Sequence, residues 1–196
     1  PLSPFGTLAN VGPMTRTVAD AALMLGVLAQ PDWRDWYAPR RPGEDFAKGL
    51  RGGVKGLRIA WSPTLGGKRV QPGVAAAAAA AAKVFQALGA RVEAAEPEIG
   101  PADDIFVKHW FATAHVVVEG VAPEKRHLVD PGLIETARVG GTYSTADYIR
   151  AEMARRELGF RVNRFFRKYD LLLTPMLAVT AFGVGKVAPE PTGERA

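Results

Sequence analysis

The first periodic stretch of the chain places Val18, Ala21, Ala22, Leu25, Leu28 and Ala29 at the i, i+3, i+4, i+7 positions of a helix and predicts one buried face. Gly12 and Pro13 break the backbone ahead of it. Thr17 is the expected N-cap, and Asp20 stands three residues on, where a carboxylate favours the positive end of a helix. Periodicity then stops. Residues 31–56 are dense in Pro, Gly and charge and predict a surface connection, with one helical turn near Asp45–Leu50.

"LRIAW" (57–61) is a short apolar run of strand character, stopped by Ser62-Pro63. The "TLGGKRV" that follows is a loop but not a phosphate loop, because the leading glycine and a Ser or Thr after Lys68 are both missing. Pro72 is suited to the first turn of a helix, and Ala75–Ala82 continue it, since alanine is the best helix former. Val84, Phe85 and Leu88 are predicted on its packed face, with Gly89 as the stop. "ARVEAAEP" gives a second strand, so strand, helix and strand form a βαβ unit with parallel strands. Residues 103–119 predict a helix capped by Asp103 or Asp104. Residues 140–169 hold the strongest helical pattern, with Ser144 and Asp147 as a relative of the capping box and Ile149, Met153, Val162, Phe165, Phe166 and Tyr169 as the apolar stripe. "DLLLTP" is a predicted buried strand ended by Pro175. No repeat is visible. The predicted elements occupy residues 1–185, with a loose or truncated tail over 186–196.

Composition changes this picture little. Hydrophobic residues at 47% and charged residues at 23% are ordinary for a globular protein. No apolar run approaches the roughly 18 residues of a membrane helix, and no signal peptide is recognisable. A cytoplasmic location without membrane contact is expected. The absence of cysteine excludes disulfides, thiolate nucleophiles and cysteine-held metals. The net charge of +5 gathers at Arg150, Arg155, Arg156, Arg161, Arg164, Arg167 and Lys168, against Glu152 and Glu157. Spread around a helix without a recognised nucleic-acid module, these read as a solvated face rather than a nucleic-acid surface.

Candidate chemistry is sparse. The serines are Ser3, Ser62 and Ser144; two precede prolines in turns and the third is committed to capping, and no G-x-S-x-G is present. His109 and His115 are six apart, on different sides of a helix, and His127 falls in a loop, so no metal pair forms. Glu152 and Glu157 are expected to answer neighbouring arginines. Trp33, Trp36 and Tyr37 pack locally or cover a pocket. No metal, cofactor or catalytic residue emerges from the residues alone.

The segment "GPMTRTVADAALML" (12–25) resembles the amidase signature family of amide hydrolases, as does the preceding "PLSPFGTLANV". Further similar blocks follow in order: "GLRIAWSP" (56–63), "ALGARVE" (87–93), "GTYSTADYIRAEMAR" (141–155) and "YDLLLTPMLAVTA" (169–181). The resemblance implies an α/β fold, part of a mixed, mostly parallel sheet flanked by helices. It implies a parent enzyme that hydrolyses a small-molecule carboxylic acid amide through an acyl-serine intermediate. The family's two serines and its lysine base lie N-terminal to the "GPMTR" block, so none is carried over and this chain alone is expected to be inactive. By the same resemblance Tyr143, Thr174, Pro175 and Met176 line the acyl pocket, the plainer alternatives being a cap contact, a strand stop and a core methionine. Arg16 is expected to anchor its turn to carbonyls. With the N-terminal half absent, apolar helix faces would lose their cover, so a homo-oligomer or association with that half is expected. The rival reading is a non-catalytic scaffold module, similar to an amidotransferase subunit, with a basic RNA-facing surface.

Overall fold

The computed structural model describes residues 5–6, 8–35 and 45–186. Ser3, Trp36, Tyr37 and most of the predicted tail lie outside them. The chain divides into two compact units, residues 54–100 with 158–196 and residues 1–53 with 101–157.

The first unit carries a three-stranded sheet of β1 (Arg58–Trp61), β2 (Arg91–Ala94) and β3 (Leu171–Leu173) in the order β2-β1-β3. Both pairings are parallel, with Ile59 opposite Val92 on one side and Leu171 on the other. Ile59 and Ala60 on the central strand are fully buried, as expected of a strand flanked on both sides. β3 is only partly covered, and Leu171 is 45% exposed. Asp170 fixes the register where β3 begins. Its Oδ2 accepts the backbone N–H of Arg58 at 2.8 Å, its Oδ1 accepts Arg58 Nη2 at 2.7 Å, and its own N–H donates to the Arg58 carbonyl.

The alanine tract forms α2 (Pro72–Ala87), with Pro72 in its first turn. Its covered face is Val74, Ala75, Ala78, Ala79, Ala82 and Phe85, while Val84 and Leu88 are more than half exposed. The packing face is therefore displaced from the predicted one toward the alanines, whose small side chains allow a close approach. Gly89 ends the helix at φ +91°, a left-handed conformation that costs glycine little.

The second unit is helical: α1 (Val18–Leu28), α3 (Ala102–Glu119), a 3-10 turn (Pro123–Leu128), α4 (Pro131–Gly140) and the first part of α5 (Thr145–Phe165). Its core is Ala114, Val118 and Ala137, with Val129, Leu133 and Ile134 packed against them. Gly140 lets α4 meet α3: a Cβ there would overlap the Phe111 carbonyl.

Several local expectations need correction. Thr17 does cap α1, accepting the Asp20 N–H at 3.1 Å. The predicted buried stripe is only partly covered, however: Ala22 is buried and Ala21 and Leu25 are half-buried, whereas Val18 and Leu28 are 71% and 54% exposed. Neither Asp103 nor Asp104 caps α3; Pro101 holds that position and both aspartates lie in the first turn, where their charge still favours the helix. The segment near Asp45–Leu50 is a run of turns, not a helical turn. In α5, Ile149 and Met153 are 52% and 63% exposed and only Ala151 is buried. Helix α4 was not expected from periodicity, although Asp130 caps it through the N–H groups of Gly132 and Leu133 and Pro131 opens it. Arg16 is exposed and donates to no carbonyl among the described residues.

Candidate functional site

In parallel α/β sheets, ligands bind beyond the carboxyl ends of the strands. Three segments converge at that edge of the sheet unit: Ser62–Leu65 after β1, Ala95–Glu96 after β2 and Thr174–Met176 after β3. The Ser62 N–H donates to the Leu173 carbonyl at 2.9 Å and the Ala95 N–H to the Trp61 carbonyl at 3.1 Å, so the ladder runs straight into these loops.

Ser62 is fully buried. Its hydroxyl donates to Glu96 Oε2 at 2.5 Å and accepts the Leu65 N–H at 2.9 Å. Glu96 also accepts the Gly66 N–H at 2.9 Å and the Thr64 hydroxyl at 3.2 Å. Burial pushes the Glu96 carboxyl up, but donors from Ser62, Gly66 and Thr64 together outweigh it and hold the group below the ordinary glutamate value. The pair has the composition of a nucleophile and base, but not the chemistry. The hydroxyl meets no solvent, and a carboxylate stabilised in its charged form is a poor proton acceptor. It is a clamp that closes the turn, in which Leu65 adopts φ +45°. Sequence reasoning missed Glu96; its one signal is an acidic residue just past a predicted strand.

The predicted lining residues divide between the units. Thr174 is half-buried, and its hydroxyl oxygen is buried without a hydrogen-bond partner. Such an orphaned group costs free energy unless something pairs with it. Beyond Pro175, Met176 and Leu177 are 94% and 68% exposed, an apolar lip on the same loop. Met176 is thus not a core methionine. The loop is tied back by Gln71, whose N–H donates to the Ala178 carbonyl at 2.8 Å while its Oε1 accepts the Thr180 N–H at 3.0 Å.

Tyr143 belongs to the helical unit, half-buried between α4 and α5 in sequence, with its N–H donating to the Gly140 carbonyl at 3.2 Å. Next to it, Ser144 and Asp147 form the predicted capping box: the Asp147 N–H donates to Ser144 Oγ at 3.1 Å and the Ser144 N–H to Asp147 Oδ2 at 3.0 Å.

The same unit holds a polar pair, a buried histidine and a half-buried glutamate, that spacing alone did not join. His109, 2% exposed, places Nδ1 2.8 Å from the Ile105 carbonyl and Nε2 3.2 Å from Glu152. The carbonyl can only accept, so Nδ1 carries a hydrogen. Contact with His109 is the main reason that the Glu152 carboxyl lies below its usual range. Glu152 also meets Arg156 at 3.4 Å, as expected from their spacing. His115 faces elsewhere and pairs weakly with Glu119 at 3.6 Å. Trp33 is 92% exposed. Among the described residues, no group of three or more histidine or carboxylate side chains converges as metal ligands would, and no helix is long and apolar enough to cross a membrane.

A family model described as Amidase matches residues 5–195. The chain is 36% identical over 182 residues to an acylamidase of Rhodococcus erythropolis, covering 91% of this chain and 38% of that protein. It is 32% identical over 212 residues to a glutamyl-tRNA(Gln) amidotransferase subunit of Trichlorobacter lovleyi, covering 94% of this chain and 43% of that one. The crystal structure of a bacterial aryl acylamidase of the amidase signature enzymes superposes with a TM-score of 0.77 at 30% identity, over 86% of this chain and 36% of its own. The chain spans about two fifths of the length of the curated relatives it matches.

Proposed function

Because this chain belongs to the amidase family, we propose that the whole protein hydrolyses a carboxylic acid amide to the acid and ammonia or an amine, through an acyl-serine intermediate. The observation that carries this reading is the breadth of the match, one family model along residues 5–195. Amide hydrolysis by serine requires an accessible hydroxyl, a proton acceptor and donors for the oxyanion. Among the described residues, Ser62 is buried in its clamp and Ser144 is engaged by Asp147. No described lysine is buried. We therefore assign this chain the substrate wall and not the reacting groups. By itself it turns over no amide.

In this reading the Thr174 hydroxyl hydrogen-bonds the bound amide, Pro175 fixes the loop and Met176 covers the acyl group. The test is release of aniline from acyl anilides. The full-length protein cleaves them, and Thr174→Val lowers kcat/KM about tenfold, the worth of one hydrogen bond. Turnover by this chain alone, abolished by changing one of its own side chains, would overturn the assignment; so would an unchanged kcat/KM in the Thr174 variant.

The relation to an amidotransferase subunit supports a second reading, a module with an RNA-facing basic surface. Steep loss of RNA retention with rising salt would favour it. Several α5 arginines are already paired, Arg150 with Asp147, Arg156 with Glu152 and Arg164 with Glu98, which favours the hydrolase. The proposed partners are an amide substrate and either a second copy or the N-terminal half of the domain.

A further inference from the structure

A groove of about 310 Å³ lies within the sheet unit, and none of the roles above uses it. Arg161, Arg164, Phe165 and Lys168 line it, spaced so that α5 and the turn after it present them on one face. Glu96, Glu98 and Tyr169 stand among the other lining residues.

Its negative charges are spoken for. Glu98 accepts Arg164 Nη2 at 3.0 Å. Glu96 is saturated by Ser62, Thr64 and Gly66. The Tyr169 hydroxyl donates to Glu93, which leaves its ring for contact. That ring and the Phe165 ring have centroids 4.8 Å apart.

Two cations remain. Arg161 Nε is buried with no hydrogen-bond partner, and Arg161 Nη2 lies 3.2 Å from where a Cβ on Gly100 would be. Lys168 makes no ion pair among the described residues. A buried guanidinium N–H left unpaired is costly. The acceptor that fits its planar fork is a carboxylate, and adjoining rings suit an apolar body.

We infer that this groove binds a small organic carboxylate, with the carboxylate held by Arg161 and Lys168 and the apolar body against Phe165 and Tyr169. A volume near 310 Å³ is at the small end of ligand sites, sized for a compact molecule.

The test is an NMR titration of the full chain with benzoate, with benzamide as the uncharged analogue and inorganic phosphate as the bare anion. Benzoate is expected to give saturable shifts at Arg161, Phe165 and Tyr169, and benzamide none at the same concentration. Arg161→Met, which keeps the covered stem, should weaken benzoate about tenfold. Lys168→Met, on an exposed side chain that folding does not need, should weaken it about threefold. The inference falls if a folded chain shows no saturable benzoate shift, or if Lys168→Met and Arg161→Met both bind as the wild type does. It falls equally if phosphate displaces benzoate at equal concentration, since the rings would then contribute nothing.

Discussion

Asp170 joins the beginnings of β1 and β3 through one exposed carboxylate. The Arg58 side chain, and then its backbone N–H, hold the Asp170 pKa down from 3.8 to about 2. A depressed carboxylate stabilises the fold at pH above its unfolded value and loses that effect as pH falls toward the folded one. Asp170→Asn should lower the urea midpoint at neutral pH, and the gap to wild type should close between about pH 4 and pH 2. Two glycines make an opposite pair. At Gly140 a Cβ would overlap the Phe111 carbonyl, whereas at Gly26 nothing lies within 4 Å. Gly140→Ala should cost about 3 kcal/mol by forcing α3 from α4. Gly26→Ala should instead stabilise by about 1 kcal/mol through helix propensity. Chemical denaturation of both variants reads the contrast.

At the scale of elements, the local signals in the sequence were good guides to where helices and strands form. Thr17, Pro72, Gly89 and the Ser144–Asp147 box each did what backbone chemistry demands. Helix α4 was equally legible through Asp130-Pro131, but its ten residues were too short to stand out by periodicity. Which face each helix buries was less legible, because burial is decided by neighbours. The α2 alanines packed where Val84 and Leu88 were expected to, and α1 left Val18 and Leu28 of its stripe exposed. The candidate site shows the same limit. Thr174 at a strand end could be marked from the sequence, whereas Glu96 meets Ser62 across 34 residues of chain and the groove at Arg161 joins segments more than sixty residues apart. No spacing rule joins those.

For the whole molecule, α1 is the feature that governs behaviour in solution. Leu23 and Val27 are 72% and 71% exposed on a helix that is apolar almost all round. Contiguous apolar surface of this kind drives association. The chain alone should scatter light as more than a monomer and bind a hydrophobic dye, and Leu23→Lys combined with Val27→Lys should abolish both; a dye-silent wild-type monomer would contradict this. The sheet carries a second, quieter asymmetry. Its two outer strands each leave one row of amide and carbonyl groups without a partner strand among the described residues. β2 displays exposed Arg91 and Glu93 beside that row, and charges of this kind repel unwanted backbone pairing. β3 offers only leucines, with no charge to guard them. Any extended segment recruited to this sheet would therefore add beside Leu171–Leu173, and misassembly into fibrils would begin there too.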